Sequence, residues 1–118
     1  MRVIVAGSRH FGDYEFVRHH LDSMPWSPTK VLSGDCRGVD QLGARWAAEN
    51  DYPVERHPAQ FQLLGPKAGP IRNRKMAQRA DALIAFWDGR KKGSGTWNMI
   101  QQAGEHGLFV LIVDLPAR

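Results

Sequence analysis

What most constrains this chain is an alternation. Five short apolar runs, rich in β-branched residues, are separated by stretches whose apolar side chains recur at helical spacing. The first run, Arg2–Ala6 (Arg-Val-Ile-Val-Ala), stops at Gly7 and predicts a buried strand. A helix is predicted from about Asp13 to Met24, with Phe16, Val17, Leu21 and Met24 on one face, Asp13 as N-cap and Pro25 just beyond. Trp26–Thr29 is a loop. Lys30–Leu32 is a second strand running into Ser33-Gly34, and a second helix follows over Val39–Asn50 with Leu42, Trp46 and Ala47 on one face. Tyr52–His57 predicts a third strand, at an edge because of Pro53 and its charges. Pro58–Gly69 has no periodicity and reads as a long loop. Pro70 suits the first position of a helix ending near Ala80. Ala82–Trp87 predicts a strand buried on both faces, Asp88–Gly95 a loop, Thr96–Glu105 a helix closed by Gly107, and Leu108–Val113 the fifth strand.

Uninterrupted apolar strands need helices over both faces of their sheet. Right-handed crossovers in this order predict a three-layer, Rossmann-like α/β fold whose five-stranded parallel sheet has the order 3-2-1-4-5. The 118 residues form a single domain, 1–118, and 42% hydrophobic with 24% charged residues is globular rather than disordered composition. No apolar run reaches the roughly 20 residues of a membrane span, and the N-terminal one is too short for a signal peptide. A lone cysteine, Cys36, builds no disulfide framework, so a cytoplasmic, reducing setting is expected. The five histidines show no metal-ligand spacing, and neither a metal nor a cofactor is expected.

In an open parallel sheet, ligands bind beyond the carboxyl ends of the strands where the winding reverses, here between strands 1 and 4. The segments leaving there are Gly7-Ser8-Arg9, Trp87-Asp88-Gly89 and, beside them, Ser33-Gly34-Asp35; Gly93-Ser94-Gly95-Thr96 adds a further glycine cluster. Glycines admit close approach to backbone amides, and helix starts add unpaired donors, a combination suited to phosphate or ribose oxygens. Arg9, Arg37 and Arg72 fall at or near the starts of three helices on this rim, where a guanidinium grips phosphate or carboxylate at two points. Singly, each is more often a surface ion-pair partner. The charge points the same way. Eight basic residues between Lys67 and Lys92 meet only Asp81 and Asp88, a local excess of +6 that leaves −2 for the remainder of a chain of net charge +4. An anionic partner, nucleotide or nucleic acid, is implied. Gly7-Ser8-Arg9-His10-Phe11-Gly12 keeps only the outer glycines of the dinucleotide fingerprint, and no P-loop is present.

Val-Ala-Gly-Ser-Arg at 5–9, Ser-Gly-Asp-Cys-Arg-Gly-Val-Asp at 33–40, Ala-Gly-Pro-Ile-Arg-Asn-Arg-Lys-Met at 68–76, Ala-Asp-Ala-Leu-Ile-Ala-Phe-Trp-Asp-Gly at 80–89 and Gly-Thr at 95–96 together resemble the YspA/YpsA-related branch of the SLOG superfamily. The resemblance implies a Rossmann-like domain that binds a nucleotide or nucleotide-derived ligand, often in bacterial or phage contexts, as a sensor, sponge or processing enzyme. Arg72-x-x-x-Met76 and the loop before Gly95-Thr96 are similar to the Lonely-guy phosphoribohydrolases, whose Gly-Thr-x-x-Glu motif carries a catalytic glutamate. Here that position is Met99, so cleavage of a base–ribose bond needs another acid or base. Asp40 and Asp88 are the candidates, with Arg72 holding phosphate. The Ser-Gly-x-x-Arg-Gly-x-Asp block is also similar to the DNA-processing protein A family, which binds single-stranded DNA. On that reading the basic stretch tracks a strand and Trp87 or Trp97 stacks on bases.

Alternative explanations accompany several of these residues. Asp40 orients Arg37, accepts a ribose hydroxyl, or is a carboxylate favoured by a helix start. Ser8 and Thr96 contact ligand or cap helices. Cys36 is expected to be an inert loop thiol, His19-His20 an exposed pair, and His10 the one histidine near the crevice. Gly38 and Asn73 complete the ligand-binding set through their motifs. A chain this small with four tryptophans is also expected to form a homodimer.

Overall fold

The computed structural model describes residues 1–116. In chain order it contains β1 (Arg2–Gly7), α1 (Tyr14–Asp22), β2 (Lys30–Ser33), α2 (Val39–Glu49), β3 (Val54–Arg56), α3 (Phe61–Leu64), a 3-10 turn (Gly65–Lys67), α4 (Ala68–Arg79), β4 (Ala82–Trp87), α5 (Gly95–Glu105) and β5 (Phe109–Asp114). The sheet runs β3-β2-β1-β4-β5 and every pairing is parallel. This is the three-layer, Rossmann-like order expected from the alternation. Among the described residues no helix is long and apolar enough to cross a membrane.

Alternate residues of each strand feed opposite layers. Val3 and Val5 pack with Val17 and Leu21 of α1 and with Val39, Trp46 and Ala47 of α2. Ile4 and Ala6 pack with Met76 and Ala77 of α4 and with Met99 and Ala103 of α5. The central strands therefore bury both faces, which is why they read as unbroken apolar runs rather than alternating ones. Each fully buried valine, leucine or isoleucine contributes on the order of 2 kcal/mol. Gly7 ends β1 because the chain is pinched there: an added Cβ would lie 2.6 Å from the Phe86 carbonyl oxygen and 2.9 Å from the Val39 Cβ.

Local chemistry explains the helix ends. Asp13 caps α1, accepting from the Phe16 amide at 3.2 Å. Helix α4 begins at Ala68, two residues before Pro70, and proline is tolerated there because the amides of the first turn have no intrahelical acceptor anyway. The stretch read as a long loop holds α3 and the 3-10 turn. Neither contains a buried residue, so no apolar period marks them in the sequence. His20, expected to be exposed, packs its ring against Phe16 at 4.7 Å and Phe86 at 6.1 Å, and burial lowers its pKa.

The two edges of the sheet are finished differently. At β3, Glu55 accepts from Arg79 at 2.6 Å and from Lys30 at 3.2 Å and contacts His57 at 2.6 Å, which holds its carboxyl well below the usual range, chiefly through Arg79. At β5, Phe109, Val110 and Ile112 are 64%, 37% and 42% exposed.

Candidate functional site

A cavity of about 600 Å³ opens beyond the carboxyl ends of β1 and β4, where the winding direction reverses. Its walls are the turn after β1, the start of α2, the first half of α4, and the loop leading into α5. Met76 and Met99, each 1% exposed, form part of an apolar floor. The position at which the phosphoribohydrolase-like motif would place a glutamate is thus a methionine held in the core.

On the α4 side, polar groups are tied to one another. The Arg72 Nε donates to Asn73 Oδ1 at 2.8 Å, and its Nη1 donates to the Gly34 carbonyl at 2.5 Å and the His57 carbonyl at 3.5 Å. Nη1 also lies 3.7 Å from the Cys36 thiol. Asn73, 3% exposed, donates onward to the Gly95 carbonyl at 3.2 Å and to Asn98 Oδ1 at 3.0 Å. A continuous chain of hydrogen bonds therefore joins the end of β2, the middle of α4 and the start of α5. Arg72 lies in the second turn of α4, not at its start, and only its Nη2 is without an acceptor among the described residues.

Asp40 is 6% exposed and lines the cavity. Its Oδ2 accepts from the Cys36 amide at 3.2 Å, and the nearby Gly7 amide also favours the charged form. Burial outweighs these donors and the nearby Arg72 charge, so its pKa is pushed up to about 6. An added Cβ at Gly34 would sit 2.6 Å from Arg72 Nη1 and 2.8 Å from Asp40 Oδ2, which shows how closely these two charged groups approach the β2 exit.

The loop side is different. Arg9, Arg90 and Lys91 line the cavity, are exposed, and enter no ion pair among the described residues. Ser94 is the N-cap of α5, its Oγ accepting from the Trp97 amide at 3.1 Å. Gly95 and Thr96 are the first two residues of that helix, and their amides precede its first intrahelical bond. Trp87 and Trp97 stack on each other, with centroids 5.0 Å apart and planes at 16°, and Lys91 Nζ lies 4.9 Å from the Trp97 centroid. Both indoles thus already have an aromatic partner. Asp88 Oδ1 accepts from the Arg90 amide at 2.9 Å and shapes the loop.

The structure brings Gly7, Ser8, Arg9, Asp40, Arg72, Asn73, Asp88, Gly95 and Thr96 to one cavity. It does not bring Ser33, Gly34, Arg37 or Gly38 to its surface. Ser33 is fully buried and donates to the Asp40 carbonyl at 3.2 Å, and Gly34 serves Arg72 through its carbonyl. Gly38 carries the chain into α2 at φ 76°, letting the Val39 amide reach the Ser8 carbonyl at 3.1 Å. Arg37 is exposed and points clear of the cavity, so the three arginines do not converge. Neither predicted capping hydroxyl caps a helix: Ser8 Oγ accepts from the His10 amide at 3.2 Å in a turn, and Ser94 caps in place of Thr96. Arg90, Lys91 and Ser94 were absent from the predicted set, although serine one residue before a helical period is a recognisable cap signal.

Residues 1–63 match the model of the YspA, cpYpsA-related SLOG family. Over an alignment of 119 positions, covering 93% of this chain and 94% of the other, the sequence is 34% identical to the gene 61 protein of Mycobacterium phage D29. Among solved structures, DNA processing protein A (DprA) from Streptococcus pneumoniae superposes on 94% of this chain with a TM-score of 0.72 at 18% identity, a likeness of fold. This chain spans 49% of that longer one.

Proposed function

Starting from the fact that this chain belongs to the YspA, cpYpsA-related SLOG family, we propose that the cavity binds a nucleotide or nucleotide-derived ligand with its phosphate on the loop side. One observation carries this reading. Arg9, Arg90 and Lys91 line a cavity whose α5 rim also offers the free amides of Gly95 and Thr96, and these cations enter no ion pair among the described residues. Unanswered cations beside a helix N-terminus favour an anionic group, and phosphate fits both charge and donor geometry. The apolar floor at Met76 and Met99 suits the sugar or base.

Within this reading Arg72 is a positioning residue with its Nη2 group left for ligand. Asp40, a buried carboxylate with its pKa near neutrality, is the better candidate for proton transfer to a departing base; Asp88, exposed at the rim and bonded to the Arg90 amide, is the weaker one. Calorimetry with AMP, ribose 5-phosphate and adenosine tests the proposal. The phosphorylated pair should bind at least about tenfold more tightly than adenosine, a difference of about 1.4 kcal/mol. Equal affinities would overturn phosphate anchoring. Chromatography of the AMP mixture decides between cleavage and binding alone, because only N-glycosidic cleavage releases adenine.

A second reading, single-stranded nucleic acid, draws on a separate observation: Lys67, Arg74, Lys75 and Lys92 are exposed outside the cavity and also lack ion-pair partners among the described residues. Oligonucleotide affinity falling steeply with salt, with no mononucleotide binding, would favour it.

A further inference from the structure

The β5 edge is finished unlike the β3 edge. It is a six-residue strand, Phe-Val-Leu-Ile-Val-Asp, with no charge before Asp114, no proline and no glycine. The opposite edge strand, β3, has three residues, follows Pro53, and carries Glu55 and Arg56. Short length, charge and proline are the features by which proteins keep an edge strand from pairing with another chain, and of these β5 has only the single charge of Asp114 at its end.

The ladder fixes which backbone groups remain open. The Phe109 amide donates to the Asp81 carbonyl at 3.1 Å and the Leu115 amide to the Trp87 carbonyl at 2.9 Å, so the odd-numbered residues face β4. Val110, Ile112 and Asp114 therefore turn their N–H and C=O groups outward. The side chains make the edge apolar on both sides of the sheet: Leu111 packs with the α1 layer, the exposed Phe109 shares its face by alternation, and Val110 and Ile112 lie on the opposite face.

We propose that β5 pairs antiparallel with β5 of a second copy, making one continuous sheet through a two-fold dimer. A second copy is the occupant because the strand is complementary to itself. Centred on Leu111, the pairing sets Val110 against Ile112 and Phe109 against Val113. The strand's one charged residue, Asp114, then falls opposite the partner's Leu108 and away from its own counterpart. The arrangement is isologous and closes without leaving another edge of this kind. The cavity lies at the strand ends and stays open in the dimer.

The test is sedimentation of the whole chain at about 100 µM, a concentration that populates even a weak dimer. The parent protein should sediment as a dimer, and hydrogen exchange should show the Val110 and Ile112 amides protected. Ile112→Lys and, separately, Val110→Glu should each yield monomers whose circular dichroism and AMP response match the parent's. A parent protein that is monomeric at this concentration overturns the proposal. So does a dimer that both variants leave intact, or outward amides that exchange freely while the dimer persists. None of these outcomes bears on nucleotide binding.

Discussion

On the α4 side of the cavity, Arg72 and Asn73 direct most of their donors to acceptors within the protein, whereas on the loop side the side chains of Arg9, Arg90 and Lys91 meet no acceptor among the described residues. Both sides are rich in polar groups, yet they differ in what those groups stabilise. A buried donor bonded to a carbonyl holds elements of the fold together, and removing it leaves an unsatisfied partner. An exposed cation without an ion-pair partner adds little to the fold until an anion arrives. The first kind of residue should therefore be read out in stability, the second in affinity.

The sharpest way to break this contrast is Asn73→Ala. It removes the amide that links Arg72, Gly95 and Asn98, and should lower stability by roughly 3 kcal/mol, seen as a clear fall in thermal midpoint. A midpoint within a degree of the parent's would show that the network is ornamental. Arg72→Ala comes next. The sequence alone suggests a ligand residue whose loss spares the fold, but its bonds to the Gly34 and His57 carbonyls imply a loss of about 2 kcal/mol in urea unfolding. If stability holds and only binding falls, the α4 side belongs with the loop side.

Asp40 sharpens the comparison through pH. Burial lifts its pKa from 3.8 to about 6, so between those values the native protein keeps a proton that the unfolded chain releases. The group's contribution is complete below about pH 4 and is lost as pH rises through 6, amounting to on the order of 3 kcal/mol. Asp40→Asn should therefore be more stable than the parent at pH 7 and nearly equal to it at pH 4, comparing the two by chemical denaturation. A pH-independent difference would remove the titration from Asp40. The smallest effect on the fold belongs to Lys91→Ala, within about 0.5 kcal/mol of the parent, together with weakened AMP binding by calorimetry. Unchanged affinity would take the loop side out of ligand recognition.

The fold was readable because its signals are local. Arg2–Gly7 and Ala82–Trp87 announce themselves by β-branched and apolar runs, and α1 and α2 by apolar spacing. Where an element buries nothing, as in Phe61–Leu64, no period exists to read and the sequence suggests only a loop. The site was half readable. Gly7, Arg9 and Gly95 were placed by topology, since segments leaving β1 and entering α5 must meet at the reversal of winding. Arg37 was placed there too and points elsewhere, because two residues of turn before α2 decide its direction and no period governs a turn. Ser94 and Thr96 are hydroxyls two residues apart, and only the observed helix start assigns the cap to the first.

By itself, then, the sequence determined the layers, the strand order and the place where a crevice must open, since these follow from apolar periodicity and the handedness of crossovers. Only the tertiary structure decided which donors in that crevice remain free. The Gly34 carbonyl that occupies Arg72 lies 38 positions away along the chain, and the Gly95 carbonyl that holds Asn73 lies 22 away. A hydrogen-bond partner is chosen by approach in space, and distances of that kind exist only after the sheet has assembled.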